Sequence, residues 1–123
     1  GVNFVLECFK KMYGGEIFVP KIPSYKITDV AKAVAPKAKI KIIGIRPGEK
    51  ISEEMITVSD SLNTIDCGSY YIILPSKEYL VKNHIHKIIK KNKDKYCKRG
   101  FSYNSGNNNK FLNLNEIKKL LKK

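Results

Sequence analysis

Arg46 and Glu49 stand three residues apart in Ile45-Arg46-Pro47-Gly48-Glu49-Lys50, and their types suit recognition of a phosphorylated ligand. Arginine presents five donors in a planar fork that matches two phosphate oxygens, while a carboxylate accepts from sugar hydroxyls or holds the arginine itself. Arg46 is the only arginine before Arg99. Pro47 stiffens the exit from the preceding segment, and Gly48 lets backbone approach a ligand closely. The competing reading of the same spacing is a surface turn closed by an Arg-Glu ion pair.

The other residues with chemical potential are less well placed. His84 and His86 are two apart, which puts them on different faces of a helix, and no third ligand is near. Solvated histidines in a basic segment are the simpler reading. Glu53 and Glu54 read as helix-start charges that complement an N-terminal dipole rather than as an acid/base pair. Cys8, Cys67 and Cys97 are odd in number, widely spaced and free of any CxxC pair, so a disulfide framework and a zinc site are both disfavoured and ordinary thiols in a reducing cytoplasm are expected. No catalytic or metal-binding residue is assigned.

Those residues need elements to hold them. Val2, Val5, Leu6, Phe9, Met12 and Tyr13 recur at helical spacing, with Lys10 and Lys11 in the last turn and Gly14-Gly15 as a stop. This helix has neither an N-cap nor an initiator Met and reads as if cut from a longer chain. Residues 16–20, EIFVP, predict a buried strand, and Ile27, Val30, Ala31 and Val34 mark a second helix ended before Pro36. The β-branched run 39–45, KIKIIGI, predicts a second buried strand that delivers the chain to Arg46. Since ligands gather at the carboxyl ends of strands in α/β units, that placement favours a site. Glu53 to Ile56 is compatible with one helical turn, 57–69 reads as irregular, and 70–75, YYIILP, as a third strand closed by Pro75. Beyond it, residues 77–99 carry nine Lys or Arg against two Asp or Glu; Val81, Ile85 and Ile88 leave only a narrow apolar stripe, so a solvated helix or insertion is expected. The stretch 101–109, FSYNSGNNN, is too polar to bury a core. Asn113 and Glu116 then have capping-box spacing ahead of Leu114, Ile117, Leu120 and Leu121, which predicts a terminal helix.

The whole chain has 123 residues, 42% of them hydrophobic, which bounds it to one domain with a modest core. No run approaches the roughly 18 apolar residues a membrane span requires, and no basic leader with a cleavage site opens the chain. The formal charge is +13, but Lys, Ile and Asn, the residues that AT-rich codons favour, number 22, 16 and 10, and there are only two arginines. Genomic drift therefore accounts for the charge better than a nucleic-acid footprint, which calls for clustered Arg with aromatics. The alternative, a small basic nucleic-acid-binding module, rests on 77–99 with Tyr79, Tyr96, Phe101 and Tyr103 as stacking candidates.

The segments GGEIFVPKIPSYKITDVAKAVAP, IKIIGIRPGEKISEEMI and FSYNSGNNNKFL closely resemble the C-terminal part of bacterial UDP-N-acetylglucosamine 4,6-dehydratases, the inverting (5-epimerising) type of the extended short-chain dehydrogenase/reductase superfamily. The resemblance covers nearly the whole chain and is weakest from about 76 to 100. It implies an α/β fold of short strands with flanking helices, the substrate-binding C-terminal portion of an enzyme whose NADP-holding Rossmann domain is absent here. In such enzymes the Arg and Glu of RPGEK contact substrate, which carries over to Arg46 and Glu49. The family usually reads GEKLHE, whereas this chain reads GEKISE, so Ser52 replaces a histidine and any role of that histidine is not transferred.

The resemblance further implies 1–75 as the substrate-binding segment, 76–100 as a Lys-rich helix or insertion, and 101–123 as polar loop and terminal helix of the same domain. UDP-N-acetylglucosamine or a related UDP-sugar is the expected ligand, in surface-glycan or flagellin sugar synthesis. The missing Rossmann domain is the expected partner, and a homo-oligomer is expected of the complete enzyme. The first helix is then an alternative oligomerisation element, packing on a neighbour's Rossmann domain. No glycine set forms GxxGxxG, and no tyrosine is followed four residues later by lysine. Hydride transfer and elimination need those groups, so the chain alone is expected to be inactive and to bind no cofactor.

Overall fold

A computed structural model describes residues 1–76, 78 and 85–122. Tyr79 and His84, with Lys77, Val81 and Lys82 of the basic run, lie outside the described residues. The described chain is an α/β fold of short antiparallel strands and helices, divided into two compact units. The first combines residues 1–21 with 55–102; the second combines 22–54 with 103–123.

In the first unit, α1 (Val2–Lys11) forms over the predicted stripe, and the chain then reverses at Gly14 and Gly15, both at positive φ. The Glu16 carboxylate sits inside this reversal and accepts from the backbone N–H of Tyr13 at 2.5 Å and of Gly14 at 2.7 Å. That double contact satisfies a carboxylate that is otherwise buried. β1 (Ile17–Pro20) pairs antiparallel with β4 (Tyr70–Ile73), with Phe18 opposite Ile72. β4 is central: its other edge pairs antiparallel with β3 (Thr64–Asp66), Ile65 opposite Ile72. The β-branched and aromatic content of YYII suits a strand covered by neighbours on both edges. Behind it, Ile65, Ile72, Leu74, Ile85 and Ile88 form the core, with Phe18 and Tyr70 packed against it. α3 (His86–Lys91) supplies Ile88 to that core, so the narrow stripe in the basic run is enough to seat it.

In the second unit, α2 (Ile27–Val34) packs on α4 (Leu114–Leu121). Asn113 and Glu116 form the predicted capping box: the Asn113 side chain accepts from the N–H of Glu116, and the Glu116 carboxylate accepts from the N–H of Asn113. Ser24 forms a parallel bridge with Phe111. β5 (Tyr103–Asn104) precedes a polar turn in which the Asn104 and Asn107 side chains accept from backbone N–H groups.

Four local expectations are corrected. Residues 39–45 form no strand; Ile42 is 86% exposed and Ile43 75%, because no neighbouring strand among the described residues offers a ladder to this β-branched run. Glu53–Ile56 is not a helical turn, since Glu54–Ile56 is β2, where Met55 and Ile56 favour extended backbone. The stretch 57–69 is not irregular, because a 3-10 turn, Asp60–Asn63, leads into β3. Thr57 and Asp60 close that turn: Asp60 Oδ2 accepts from the Thr57 hydroxyl at 2.6 Å, which the polar spacing concealed. Finally, 101–109 does contribute to a core, since Tyr103 is buried and its hydroxyl donates to the carbonyl of Ile22 and accepts from its N–H.

Candidate functional site

The turn at residues 46–49 follows from its residue types. The N–H of Glu49 donates to the carbonyl of Arg46 at 3.0 Å, with Pro47 and Gly48 between them and Gly48 at φ +85°. Proline followed by a residue at positive φ is the pattern of a type II turn, which requires Gly or Asn in the second position. A Cβ on Gly48 would meet nothing within 4 Å, so the glycine answers a backbone need and not a packing one.

This turn brings the two candidate residues together. Glu49 Oε2 accepts from the backbone N–H of Arg46 at 2.9 Å, while Oε1 accepts from Nε at 2.6 Å and from the terminal Nη2 at 2.5 Å. The carboxylate thus fixes one edge of the guanidinium, leaving the Nη1 donors and one hydrogen of Nη2 to reach outward. The Arg46 side chain is 75% exposed. The N–H of Arg46, then its guanidinium, hold the Glu49 carboxyl below the usual carboxylate range, against a small opposing effect of desolvation. Because 39–45 is exposed and unpaired, the site is not the carboxyl end of a buried strand; the Pro-Gly turn and the ion pair alone give it shape.

Behind this turn lies an arrangement that spacing did not reveal. Ser105 donates its backbone N–H to the carbonyl of Glu53 at 2.8 Å, and the Ser105 hydroxyl accepts from the N–H of Glu53 at 2.9 Å. The Asn104 side-chain oxygen accepts from the N–H groups of Gly106 and Asn107, both at 2.9 Å, folding 104–107 into an Asx-type turn. A Cβ on Gly106 would lie 2.5 Å from Ser52 Oγ, so this turn and the end of the RPGEKIS segment meet closely where residue 106 is glycine. Asn108 reaches the carbonyl of Ile22 at 2.7 Å and Ser24 Oγ at 3.0 Å. The run of amides in NSGNNN was the available signal; amides that satisfy nearby backbone are how so polar a stretch becomes ordered.

The remaining candidates are dispersed. Glu53 and Glu54 are exposed; Glu54 opens β2 and Glu53 precedes it. His86 opens α3, and no cluster of three His, Cys, Asp or Glu able to hold a metal occurs among the described residues. The three cysteines are free and half-buried, and burial is the main cause raising each thiol above its ordinary pKa. Of the stacking candidates, Tyr103 is buried, Phe101 packs on Tyr71 with ring centroids 5.3 Å apart, and Tyr96 is partly exposed. No helix among the described residues is long and apolar enough to cross a membrane. A further charged contact that spacing did not show lies in the first unit, where Lys21 Nζ contacts both Asp66 carboxylate oxygens at 2.7 Å and lies 4.4 Å from the Tyr71 ring centroid. Partial burial opposes the charge on Lys21, but the Asp66 hydrogen bond and neighbouring Tyr71 outweigh it and raise its pKa.

Similarity to known proteins follows the same residues. The inverting UDP-N-acetylglucosamine 4,6-dehydratase of Campylobacter jejuni subsp. jejuni serotype O:2 is 51% identical over 109 residues, which cover 88% of this chain and 33% of that protein. The UDP-glucose 4-epimerase of Rickettsia akari is 35% identical over 124 residues, covering 98% and 35%. Among solved structures, Pen from Bacillus thuringiensis superposes with a TM-score of 0.63 at 27% identity, over 94% of this chain and 32% of that one. The chain spans about a third of the length of the curated relatives it matches. The family model described as polysaccharide biosynthesis protein matches residues 1–75, more than half of the sequence, and the chain belongs to that family.

Proposed function

We propose that this chain is the UDP-sugar-binding part of a UDP-N-acetylglucosamine 4,6-dehydratase serving surface-glycan or flagellin sugar synthesis. The observation that carries the reading is the 51% identity to a protein of that name over most of this chain. Arg46 is the clamp for the diphosphate, and its exposed outer donors suit that task. Glu49 supports the clamp: with its two oxygens already engaged by Arg46, it serves better to aim the guanidinium than to accept from ribose.

The residues of this chain do not fit NADP. A dinucleotide's pyrophosphate needs a glycine-rich turn between a strand and the N-terminus of a helix. The β1-to-α2 connection, residues 21–26, reads KIPSYK and contains no glycine. The cofactor is therefore assigned to the two thirds of the relatives that this chain does not span.

The test joins this chain to the Campylobacter jejuni segment it does not cover and titrates UDP-N-acetylglucosamine. Arg46→Lys keeps the charge but loses the planar fork, so affinity falls about ten- to hundredfold while NADP binding is unchanged. Unaltered UDP-sugar affinity in Arg46→Lys makes the turn merely structural.

A further inference from the structure

The first unit contains an open cleft of about 590 Å³ whose lining, among the described residues, includes five lysines and no carboxylate. Two are Lys10 and Lys11, from the C-terminal end of α1; the others, Lys87, Lys91 and Lys95, are four residues apart and so share one side of α3 and the turn after it. The floor is apolar: Phe18, Tyr70, Ile72 and Ile88, all continuous with the core. Glu7 pairs with Lys10 and Lys11 at 3.3 and 3.6 Å, whereas no ion pair is formed by Lys87, Lys91 or Lys95 among the described residues. Lys11 Nζ lies 5.5 Å from the Tyr70 ring centroid, poised at the junction of charged rim and aromatic floor.

Drift towards lysine explains many lysines, but it scatters them over the surface. It does not explain two separate segments bringing five lysines to one concave, aromatic-floored space in which, among the described residues, Lys87, Lys91 and Lys95 form no ion pair. Like charges gathered this way repel one another, a cost that a bound anion relieves. From this convergence we propose that the cleft is a second anion site, taking a small phosphorylated ligand with an aromatic body, the chemistry of a nucleoside diphosphate. The phosphates lie on the rim formed by Lys11, Lys87, Lys91 and Lys95, and the planar group lies against Tyr70 and Ile88. All of these residues belong to the first unit, so the site stands without Arg46 and Glu49 and does not depend on the function proposed above.

The test is calorimetric titration of the 123-residue chain with ADP, pyrophosphate and adenosine at 0.15 M salt, where charges more than about 8 Å apart are largely screened. ADP binds best, pyrophosphate more weakly and adenosine least, since only ADP uses both rim and floor. Lys91→Glu weakens ADP about tenfold or more. Lys118→Glu on α4 makes the same change in net charge and leaves binding unaltered. Equal losses in Lys91→Glu and Lys118→Glu overturn the proposal in favour of diffuse attraction. Loss in Arg46→Lys with retention in Lys91→Glu overturns it in favour of the RPGEK turn, and absence of ADP binding by a folded wild-type chain overturns it outright.

Discussion

At the scale of single residues, the Arg46–Glu49 pair is the feature most open to measurement. Glu49 is held ionised by its contacts to Arg46, so its pairing is complete above the ordinary carboxylate range and is lost only as pH falls through the lowered value. UDP-sugar affinity of the joined enzyme is therefore flat with respect to this group between about pH 5 and 8. Glu49→Gln weakens affinity throughout that range if aiming Arg46 is its task, because an amide cannot hold both the N–H and the guanidinium as a charge does. A variant with wild-type affinity assigns Glu49 no such task. Gly106 offers a second measurement. Alanine there puts a methyl group against Ser52 Oγ, which must rotate or shift to make room. Urea unfolding of Gly106→Ala shows a loss of about 1 kcal/mol, the low end of an overpacked contact. A neutral result means that the two segments part without cost.

At the scale of elements, periodicity and end signals were sufficient where a segment makes its own case. α1 stops at a glycine pair, β1 lies between glycine and proline, and α4 announces itself by Asn113 and Glu116. The cap is also the cheapest element to test: Asn113→Ala removes the acceptor for two N–H groups and costs about 1 kcal/mol in thermal or urea unfolding. Segments whose state depends on neighbours were not legible. KIKIIGI carries every local mark of a strand, yet a strand exists only by pairing, and residues 39–45 have no ladder partner among the described residues. The converse holds for Thr64–Asp66, too short a run to read as a strand by itself, which forms because β4 provides an edge. The RPGEK turn itself was legible from Pro47 and Gly48. The Ser52–Gly106 approach was not, since 54 positions separate the two and no residue type announces a contact at that range.

At the scale of the whole molecule, charge and missing motifs make two expectations that share one preparation. The purified chain carries no NADP, because its glycines do not form a phosphate-cradling turn; absorbance and mass spectrometry of the denatured protein check this, and a stoichiometric dinucleotide contradicts it. DNA is attracted at low salt by the +13 charge and released as salt rises, without preference for sequence, in a filter-binding series. Tight, sequence-selective retention at physiological salt favours the nucleic-acid module instead.

The division into two units has a consequence for how the chain comes to be folded on the ribosome. The backbone passes between the units three times, after residues 21, 54 and 102, so each unit is stitched from two separated stretches. Ordinary tandem domains finish in order, the earlier one folding while the later one is still being made. Here residues 1–54 leave both units open, and the first closes only when synthesis has passed residue 102. β1 must wait for β4, some fifty residues later, before its backbone groups are paired. The nascent chain therefore carries Phe18 and Val19 unprotected until β4 has been made, a window in which a chaperone that shields short apolar segments has its work to do.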